Sequence, residues 1–412
     1  MRTKTKRAPG TGQSRLRRFK LALITISLST IVSLGVCEIL FRILEYRENA
    51  HIIQEGPGNR TLPDARWGWK PSTGSFHSAT AEFDVTGNVN SLWMNDSDYD
   101  PLAEDKLVRI LALGDSHTFA VGVSSNQTWP KLLESKLNAI GATRSYRVYN
   151  AGVSGYSMHQ YLLRLMDQGP LLHPDYVVLG ISYATDLYDL LPPDRGGWVY
   201  GGDGARDYFD FDQNGNLTQR HWDPRDATVG STRTAQTVRD ILEYSAAFRY
   251  LRRSRLSLFI GSHVKVNGQT LWPNMDIVLE KDVAPAHDYQ WRLFDALLKR
   301  TKEECDRQGA KLIVVGIPYL PQVYDEVWNS TFGNNPGYSR TAAIERVQAE
   351  CQALGIAYVD TLEPLRTRSK EVRRWLHYHK DAHPTAEGQD VIAETVFHTG
   401  ILKNTSTARL NY

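Results

Sequence analysis

The longest apolar run of the chain lies close to its start. Residues 21–37 carry no charge, and beyond Glu38 the apolar pattern continues to Leu44. About 20 apolar residues cross a bilayer as a helix, so residues 19–44 are predicted to be a transmembrane segment. A cleaved signal peptide would be shorter and would end in small residues. The run ends in Val36-Cys37-Glu38 instead, which favours an uncleaved anchor.

Beyond residue 108, short apolar runs alternate with amphipathic stretches. Runs this short and this continuously apolar are typical of parallel strands that are covered on both faces. Five such strands are predicted, at residues 110–113, 146–149, 176–179, 312–315 and 356–359. The alternation of strands and helices predicts a doubly wound α/β domain, in which ligands bind at the carboxyl ends of the strands.

One amphipathic stretch shows the helical period clearly. Its apolar positions recur every three or four residues, which places them on one face of a helix. Gly309 follows as a predicted C-terminal cap. The positions on this face are Trp291, Phe294, Leu297, Leu298, Thr301 and Cys305.

Two further segments differ from this rhythm. Residues 45–104 are polar, with turn signals and short alternating pieces such as residues 81–85, and predict a juxtamembrane lead-in containing a few strands. Residues 188–285 are too long for a plain connection between strands and predict an insertion that walls or covers a site. The main domain therefore spans residues 105–400, and residues 401–412 form a C-terminal tail.

The insertion contains its own structural signals. A hairpin is predicted around residues 209–217 and a helix near residues 238–253. Trp198, Tyr200 and Trp222 could stack on sugars or form a small core for the insertion. Both interpretations stay open.

Charge adds the orientation of the anchor. The formal net charge is only +2, yet the first 20 residues contain eight basic residues and no acidic one. Positive residues beside a membrane segment stay in the cytoplasm, so residues 1–18 are a predicted cytoplasmic tail and the main domain lies in the periplasm or outside the cell. We expect no nucleic-acid binding, because the basic cluster directly precedes the membrane run. Its members are Arg2, Lys4, Lys6, Arg7, Arg15, Arg17, Arg18 and Lys20.

Ser116 is the first candidate for chemistry, in Gly114-Asp115-Ser116 at the end of the first predicted strand. There its hydroxyl would lie at the ligand-binding edge of the sheet, and its backbone N–H could stabilise an oxyanion. A serine hydroxyl is a weak nucleophile until a base removes its proton. The alternative is that Ser116 is only the N-cap of the next helix.

A histidine-rich segment near the end of the chain offers that base. Asp381 and His383 are close enough in sequence for the carboxylate to orient the imidazole, and His383 could then act on Ser116. His377, His379 and His383 could instead bind a metal ion, or be surface residues without a role. Nothing resembles a cysteine-ligated metal site or a redox motif, and we expect no cofactor.

The end of the second predicted strand carries a third block, Asn150-Ala151-Gly152-Val153-Ser154-Gly155. Gly155 would let the backbone approach a substrate closely and could donate its N–H to an oxyanion. A simple glycine turn is the alternative.

Together the three blocks resemble those of the SGNH or GDSL-type hydrolases, and the anchor resembles that of the membrane-anchored bacterial members. The resemblance covers about residues 105–400 and implies a flavodoxin-like parallel sheet. It also implies Ser116 as nucleophile, His383 as base, Asp381 as its partner, and Ser116 and Gly155 as oxyanion donors. The family has an asparagine donor where this chain has Thr185. Its hydroxyl can still donate a hydrogen bond, although the side chain is shorter, so Thr185 is a third predicted oxyanion donor.

The resemblance implies acyl-ester chemistry. We expect an esterase acting outside the membrane on acyl, especially acetyl, esters of carbohydrate or other envelope substrates. A polysaccharide O-acetyltransferase would use the same triad. Because Thr185 departs from the family pattern, a further alternative stays open: a protein with weakened catalytic activity that binds or assembles glycans. Cys305 and Cys351 could form a disulfide or remain separate buried thiols.

Overall fold

The computed structural model describes residues 11–49, 52–98, 107–140, 144–183, 185–192, 205–223, 244–247, 264–266, 269–271, 276–333 and 335–402. The chain divides into two compact units. One comprises Met1–His51 with Val229–Gly261, and the other comprises Ile52–Thr228 with Ser262–Tyr412.

The first unit contains the helix α1, Thr11–Asn49. Within it, the span Arg17–Arg47 contains an 18-residue window whose mean hydropathy is 2.0 and which is not buried. Among the described helices, this is the one with the length and composition to cross a membrane. A signal sequence would satisfy the same criterion. In the same unit, Glu38 accepts hydrogen bonds from Arg42 and from the backbone N–H groups of Ala246 and Ala247.

The second unit begins with the lead-in, which is folded into short strands. They are β1 (Ile53–Glu55), β2 (Thr61–Asp64), β3 (Gly68–Pro71), β4 (Gly74–Ala79) and β5 (Asp84–Val89). Strands β1, β4 and β5 form an antiparallel sheet in that order, and β2 pairs with β3. The predicted strands of the lead-in are therefore present, although the one expected at residues 81–85 begins at Asp84.

A five-stranded parallel sheet forms the centre of the second unit. All five predicted strands are confirmed, as β6 (Leu107–Leu113), β7 (Ser145–Asn150), β8 (Tyr176–Ser182), β13 (Lys311–Ile317) and β14 (Ala357–Asp360). Their spatial order is β14-β13-β8-β6-β7. Numbered one to five along the chain, this is the flavodoxin-like order 2-1-3-4-5. The predicted fold class, a doubly wound α/β domain, is confirmed.

Helices cover the sheet. Because crossovers between parallel strands are right-handed, the reversal of strand order at β6 sends helices to opposite faces. The helices are α2 (Ser116–Phe119), α3 (Trp129–Ala139), α4 (Met158–Leu172), α5 (Asp276–Leu279), α6 (Asp288–Arg307), α7 (Leu320–Val323), α8 (Asp325–Thr331), α9 (Ala342–Ala353), α10 (Leu362–Val372) and α11 (Ala386–His398). Helix α6 is the one predicted from its apolar stripe, and Gly309 after it adopts a positive φ of 73°.

The segment between β8 and α5 is described in part. Strands β9 (Arg206–Phe211) and β10 (Leu217–Trp222) form the hairpin that the sequence predicted. Strands β11 (Val264–Val266) and β12 (Gln269–Leu271) pair as a second hairpin. Trp198 and Tyr200 lie outside the described residues, as does the predicted helix at 238–253 except for residues 244–247.

The two cysteines of this unit are separate thiols. Cys305 on α6 and Cys351 on α9 are both buried and free. Burial raises the pKa of each thiol to about 12. They behave as small core residues, so the disulfide alternative is wrong for this structure.

Candidate active site

The turn that follows β6 presents Ser116 at the carboxyl edge of the sheet. Asp115 is the N-cap, and its Oδ1 accepts the N–H of His117 at 2.8 Å. The alternative that Ser116 itself is an N-cap is therefore wrong. A side chain at Gly114 would place its Cβ 2.1 Å from Thr118 Oγ1, so this tight turn requires glycine.

Ser116, His383 and Asp381 meet although 267 positions separate the serine from the histidine. The Oγ of Ser116 lies 2.7 Å from Nε2 of His383. Nδ1 of His383 is hydrogen-bonded to Oδ1 of Asp381. Both of these latter side chains are largely covered, with 20% and 30% of their surface exposed. A serine, an imidazole and a carboxylate joined in this order can carry out nucleophilic catalysis.

Electrostatics within this triad favour a charged imidazole. Burial by itself lowers the pKa of His383, but the hydrogen bond and charge of Asp381 more than offset it, so its pKa lies above the ordinary value. Burial raises the pKa of Asp381, and the hydrogen bond with His383 outweighs it, so the carboxyl remains ionised below its ordinary pKa. The pair therefore stabilises the imidazolium that forms when His383 takes a proton.

The loop that carries Asp381 and His383 is held by the lead-in. The carboxylate of Glu82 accepts the backbone N–H groups of His379 at 2.7 Å, Lys380 at 2.9 Å and Asp381 at 3.1 Å. Such charge-assisted hydrogen bonds to three consecutive residues restrict the loop backbone. Glu82 is a site residue that the sequence did not reveal, because no motif marks it.

A second set of contacts closes the same loop on itself and on the nucleophile's turn. Tyr378 donates its hydroxyl proton to the carbonyl of Gly122 at 2.7 Å, and its N–H to the carbonyl of His383 at 2.9 Å. His377 and Pro384 form an antiparallel bridge. The bridge thus closes the loop on itself, and Tyr378 joins it to the segment that follows Ser116.

Two backbone N–H groups are available for an oxyanion. Ser116 is the first residue of α2, so its N–H has no partner within the helix. Gly155 adopts a φ of 77°, a left-handed conformation that favours glycine. Among the described residues, neither N–H donates to another protein group. The glycine turn predicted at Gly155 is present and leaves its donor free.

Thr185 lies near these donors but its hydroxyl is engaged. Its Oγ1 donates to Oδ2 of Asp115 at 2.8 Å, and its N–H donates to the carbonyl of Ser182. Asp115 also contacts Nδ1 of His117 at 3.1 Å. Burial raises the pKa of Asp115, but His117 and these hydrogen bonds hold it below the ordinary value. In this arrangement the Thr185 hydroxyl is hydrogen-bonded to Asp115. To donate to an oxyanion, as the sequence predicted, the hydroxyl would have to rotate away from that carboxylate.

The remaining histidines of the segment have structural contacts. The Nδ1 of His377 lies 2.8 Å from the hydroxyl of Tyr324, and burial lowers its pKa to about 3, so its imidazole is neutral. The ring of His379 stacks on Trp375 at 4.6 Å. Within the described ranges, no three histidine, cysteine or acidic side chains are grouped to hold a metal ion. His117, whose ring lies 5.0 Å from that of His383, is a further neighbour that the motif did not single out.

Comparisons with known proteins add little at this level of similarity. No family model and no curated protein matches the chain. Several solved structures align with most of it. TesA is 16% identical, with 71% of this chain and 98% of TesA covered at a TM-score of 0.35. The psychrotrophic esterase EstA from Pseudoalteromonas sp. is 13% identical, covering 72% and 100% at 0.36.

A third alignment is to a catalytic mutant of Axe2, an acetylxylan esterase from Geobacillus stearothermophilus. It is 11% identical and covers 70% of this chain and 92% of Axe2 at a TM-score of 0.37. Identities and TM-scores this low transfer no chemistry. The function therefore has to follow from the geometry of the site.

Proposed function

We propose that this chain is a serine-dependent ester hydrolase of the SGNH type. The observation that supports it is the continuous path from Ser116 Oγ to His383 Nε2 at 2.7 Å, and from His383 Nδ1 to Asp381. A half-buried serine hydroxyl such as that of Ser116 needs no such path to be stable, since it could bond to backbone alone. The orientation of base and carboxylate toward one hydroxyl is what covalent catalysis requires.

The first half of the reaction acylates Ser116. Its Oγ attacks the ester carbonyl carbon while its proton passes to Nε2 of His383, and the charge of Asp381 stabilises the imidazolium. The carbonyl oxygen becomes an oxyanion that accepts the N–H groups of Ser116 and Gly155. When this intermediate collapses, the C–O bond to the alcohol breaks and the leaving alkoxide takes the proton from His383.

The second half restores the enzyme. Water enters, gives a proton to His383 and attacks the acyl carbon, forming the same oxyanion between the same two donors. The bond to Ser116 Oγ then breaks, Oγ regains a proton from His383, and the free carboxylic acid leaves.

Location narrows the substrate. We infer that the unit carrying Ser116 lies outside the cytoplasmic membrane, in the periplasm or beyond, because a basic tail precedes the apolar helix and positive residues stay in the cytoplasm. Acyl esters available there include acetylated carbohydrates of the envelope. We therefore infer acetyl or other short acyl esters of carbohydrates as the substrate class.

The test is hydrolysis of 4-nitrophenyl acetate by the full-length protein in detergent. Ser116→Ala should reduce kcat at least to the level of a chain without its triad, a loss of about 10⁴-fold or more. Ser135→Ala, which removes an exposed hydroxyl on α3 bonded only to the Lys131 carbonyl, should keep full activity. Equal rates for Ser116→Ala and the wild type would remove Ser116 from the mechanism.

The engaged hydroxyl of Thr185 supports a second candidate, a glycan-binding protein with weakened catalysis. Loss of one oxyanion donor typically costs about 10²–10³ in rate. Polysaccharide binding without any Ser116-dependent hydrolysis would favour this candidate.

If an added sugar acceptor becomes acylated in a Ser116-dependent assay, the activity is O-acyl transfer, since a sugar hydroxyl then replaces water.

A further inference from the structure

A small cavity lies beside Gly155. Its volume is about 10 Å³, which is the room that one water molecule or one hydroxyl group needs. Among the described residues, its wall also includes Ser157, His159, Asp189 and Arg206. Because Gly155 supplies an oxyanion N–H in the proposed reaction, a group bound here would lie next to the reacting ester.

Arg206 is the unusual residue of this wall. It begins β9, is only 5% exposed, and packs its aliphatic stem against Gly68. Its Nε is buried and, within the part of the chain that the structure describes, has no hydrogen-bond partner. Burial lowers the pKa of Arg206 to about 10, which still leaves it charged at neutral pH. A buried guanidinium without a partner is unfavourable, so an acceptor in the cavity would stabilise it.

Asp189 is the second polar group with unused capacity. Its Oδ1 is also buried and has no hydrogen-bond partner among the described residues. The two side chains influence one another electrostatically, yet they do not form an ion pair. Burial and the charge of Asp115 raise the pKa of Asp189 to about 8. Both residues line the same cavity, so its wall carries one basic and one acidic side chain.

His159 does not compete for a ligand. Its Nε2 lies 3.1 Å from the carbonyl of Leu190, and its Nδ1 accepts the N–H of Phe209 at 3.2 Å. Burial lowers the pKa of His159 to about 4, so it is neutral with both nitrogens occupied. Arg206 and Asp189 are therefore the charged groups of the described wall that can recognise an occupant.

A hydroxyl group fits these two partners best. It can accept from Arg206 while it either donates to an ionised Asp189 or accepts from a protonated one. A carboxylate would fit only a protonated Asp189 and is larger than the cavity. We propose that Arg206 and Asp189 form a subsite for a free hydroxyl of the substrate, which restricts the proposed esterase to esters of polyhydroxylated alcohols such as sugars.

This inference rests on the proposed hydrolase activity, so the experiment separates the two. It compares kcat/KM for two kinds of methyl glucoside acetate. The first is the monoacetylated sugar, with each regioisomer assayed separately, and the second is the fully acetylated sugar, which has no free hydroxyl. The variants are Arg206→Met, which keeps the stem, and Asp189→Asn. Arg220→Met serves as a control, because Arg220 lies on the neighbouring strand β10 and does not line the cavity.

Both variants should lose about 10- to 100-fold in kcat/KM for the best monoacetylated sugar, the cost of one hydrogen bond to a buried charged or polar group. The fully acetylated sugar should change by less than about threefold, and Arg220→Met should match the wild type. Equal losses on both sugars would show a structural role and overturn the subsite. Unchanged rates on both would mean that the cavity holds only water and would overturn it as well.

If wild-type protein and Ser116→Ala are equally inactive on both sugars, the proposed hydrolase fails but the subsite is still testable. Calorimetry of methyl glucoside with the wild type and with Arg206→Met then decides. Binding that is lost in Arg206→Met supports the subsite, and equal or absent binding in the two proteins refutes it. Circular dichroism and thermal midpoints confirm that each variant is folded.

Discussion

The hydroxyl of Ser116 owes its proposed reactivity to side chains on a distant loop. His383 is close enough to take its proton, and Asp381 holds the imidazole and raises its pKa. Asp115 and Thr185, by contrast, bond to one another beneath the nucleophile. Residues adjacent in the motif therefore divide between chemistry and support, and two substitutions distinguish these roles.

The first prediction concerns pH. The pKa of His383 is raised above its ordinary value of 6.5. The neutral imidazole, which is the base, therefore becomes the main form only at a pH above 6.5, and kcat/KM should rise with pH as His383 loses its proton. In Asp381→Asn the remaining effect of burial lowers the His383 pKa, which should move the acid limb of the profile to lower pH. The maximal kcat should fall about 10⁴-fold, because the amide no longer holds the productive tautomer. A pH–rate profile of both proteins checks this, and an unshifted acid limb would contradict it.

The second prediction concerns Thr185. Thr185→Val removes the hydroxyl donor to Oδ2 of the buried Asp115 carboxylate, an oxygen that then keeps only its contact with Nδ1 of His117, and should lower the free energy of unfolding by about 1–3 kcal/mol. Thr185→Ser keeps the hydroxyl and should stay near the wild type. If Thr185 serves only Asp115, kcat should change less than tenfold in Thr185→Val. A fall of about 10²–10³ in kcat at unchanged KM would instead support the oxyanion role. Denaturant unfolding and steady-state kinetics give the two readouts.

At the scale of elements, the site is assembled from loops at the carboxyl ends of the strands and from the lead-in. Turns after β6, β7 and β8 carry Ser116, Gly155 and Thr185, as the sheet order requires. The lead-in adds a second support, since the carboxylate of Glu82 accepts backbone hydrogen bonds from the loop that carries His383. We call this contact the clamp. Positioning of the triad thus depends on an element outside the doubly wound sheet.

The third prediction tests this clamp. Glu82→Ala should lower kcat about tenfold with little change in KM, because a loosened loop places His383 less often at Ser116. Glu82→Gln retains one acceptor oxygen and should recover part of the loss. Glu55→Ala, an exposed lead-in residue whose carboxylate lies 3.8 Å from His77, should be neutral. Steady-state kinetics with thermal midpoints separates positioning from stability, and wild-type kcat in Glu82→Ala would refute the clamp.

At the scale of the whole molecule, the chain combines an apolar helix with a folded unit that carries the proposed active site. The apolar side chains of α1 are exposed along Arg17–Arg47, which water does not favour and a bilayer does. Anchoring would keep the enzyme at the membrane surface, where envelope substrates pass.

The fourth prediction follows from this arrangement. The full-length chain should remain in the membrane pellet after carbonate washing, because a spanning helix is not held by surface charge. Protease added outside the inner membrane should digest the catalytic unit. Replacing Ile31 and Val32 by arginine places charges mid-helix, at a cost of about 2.5–3.5 kcal/mol each, and should release much of the protein. Immunoblots of the fractions measure both, and a protected catalytic unit would reverse the proposed orientation.

Some features could be predicted from the sequence because they depend on local patterns. The five buried strands show as short apolar runs, and α6 shows as a stripe ending at Gly309. Gly114-Asp115-Ser116 and the pair Asp381 and His383 are readable because short-range geometry demands these residue types. The extent of α2, a single turn that ends at Phe119 with Ala120 as its C-cap, could not be predicted from the sequence, since tertiary contacts decide where so short a helix stops.

What the sequence determined by itself is the periodicity of the elements and the identity of the reactive groups, because both depend on residues close together along the chain. The tertiary structure decided which groups meet. It engaged Thr185 with Asp115 and brought Glu82 to the loop of the base. It also left Nε of Arg206 and Oδ1 of Asp189, on two residues that line one cavity, without hydrogen-bond partners among the described residues. These contacts join residues tens to hundreds of positions apart, and their energies depend on burial that no local pattern encodes.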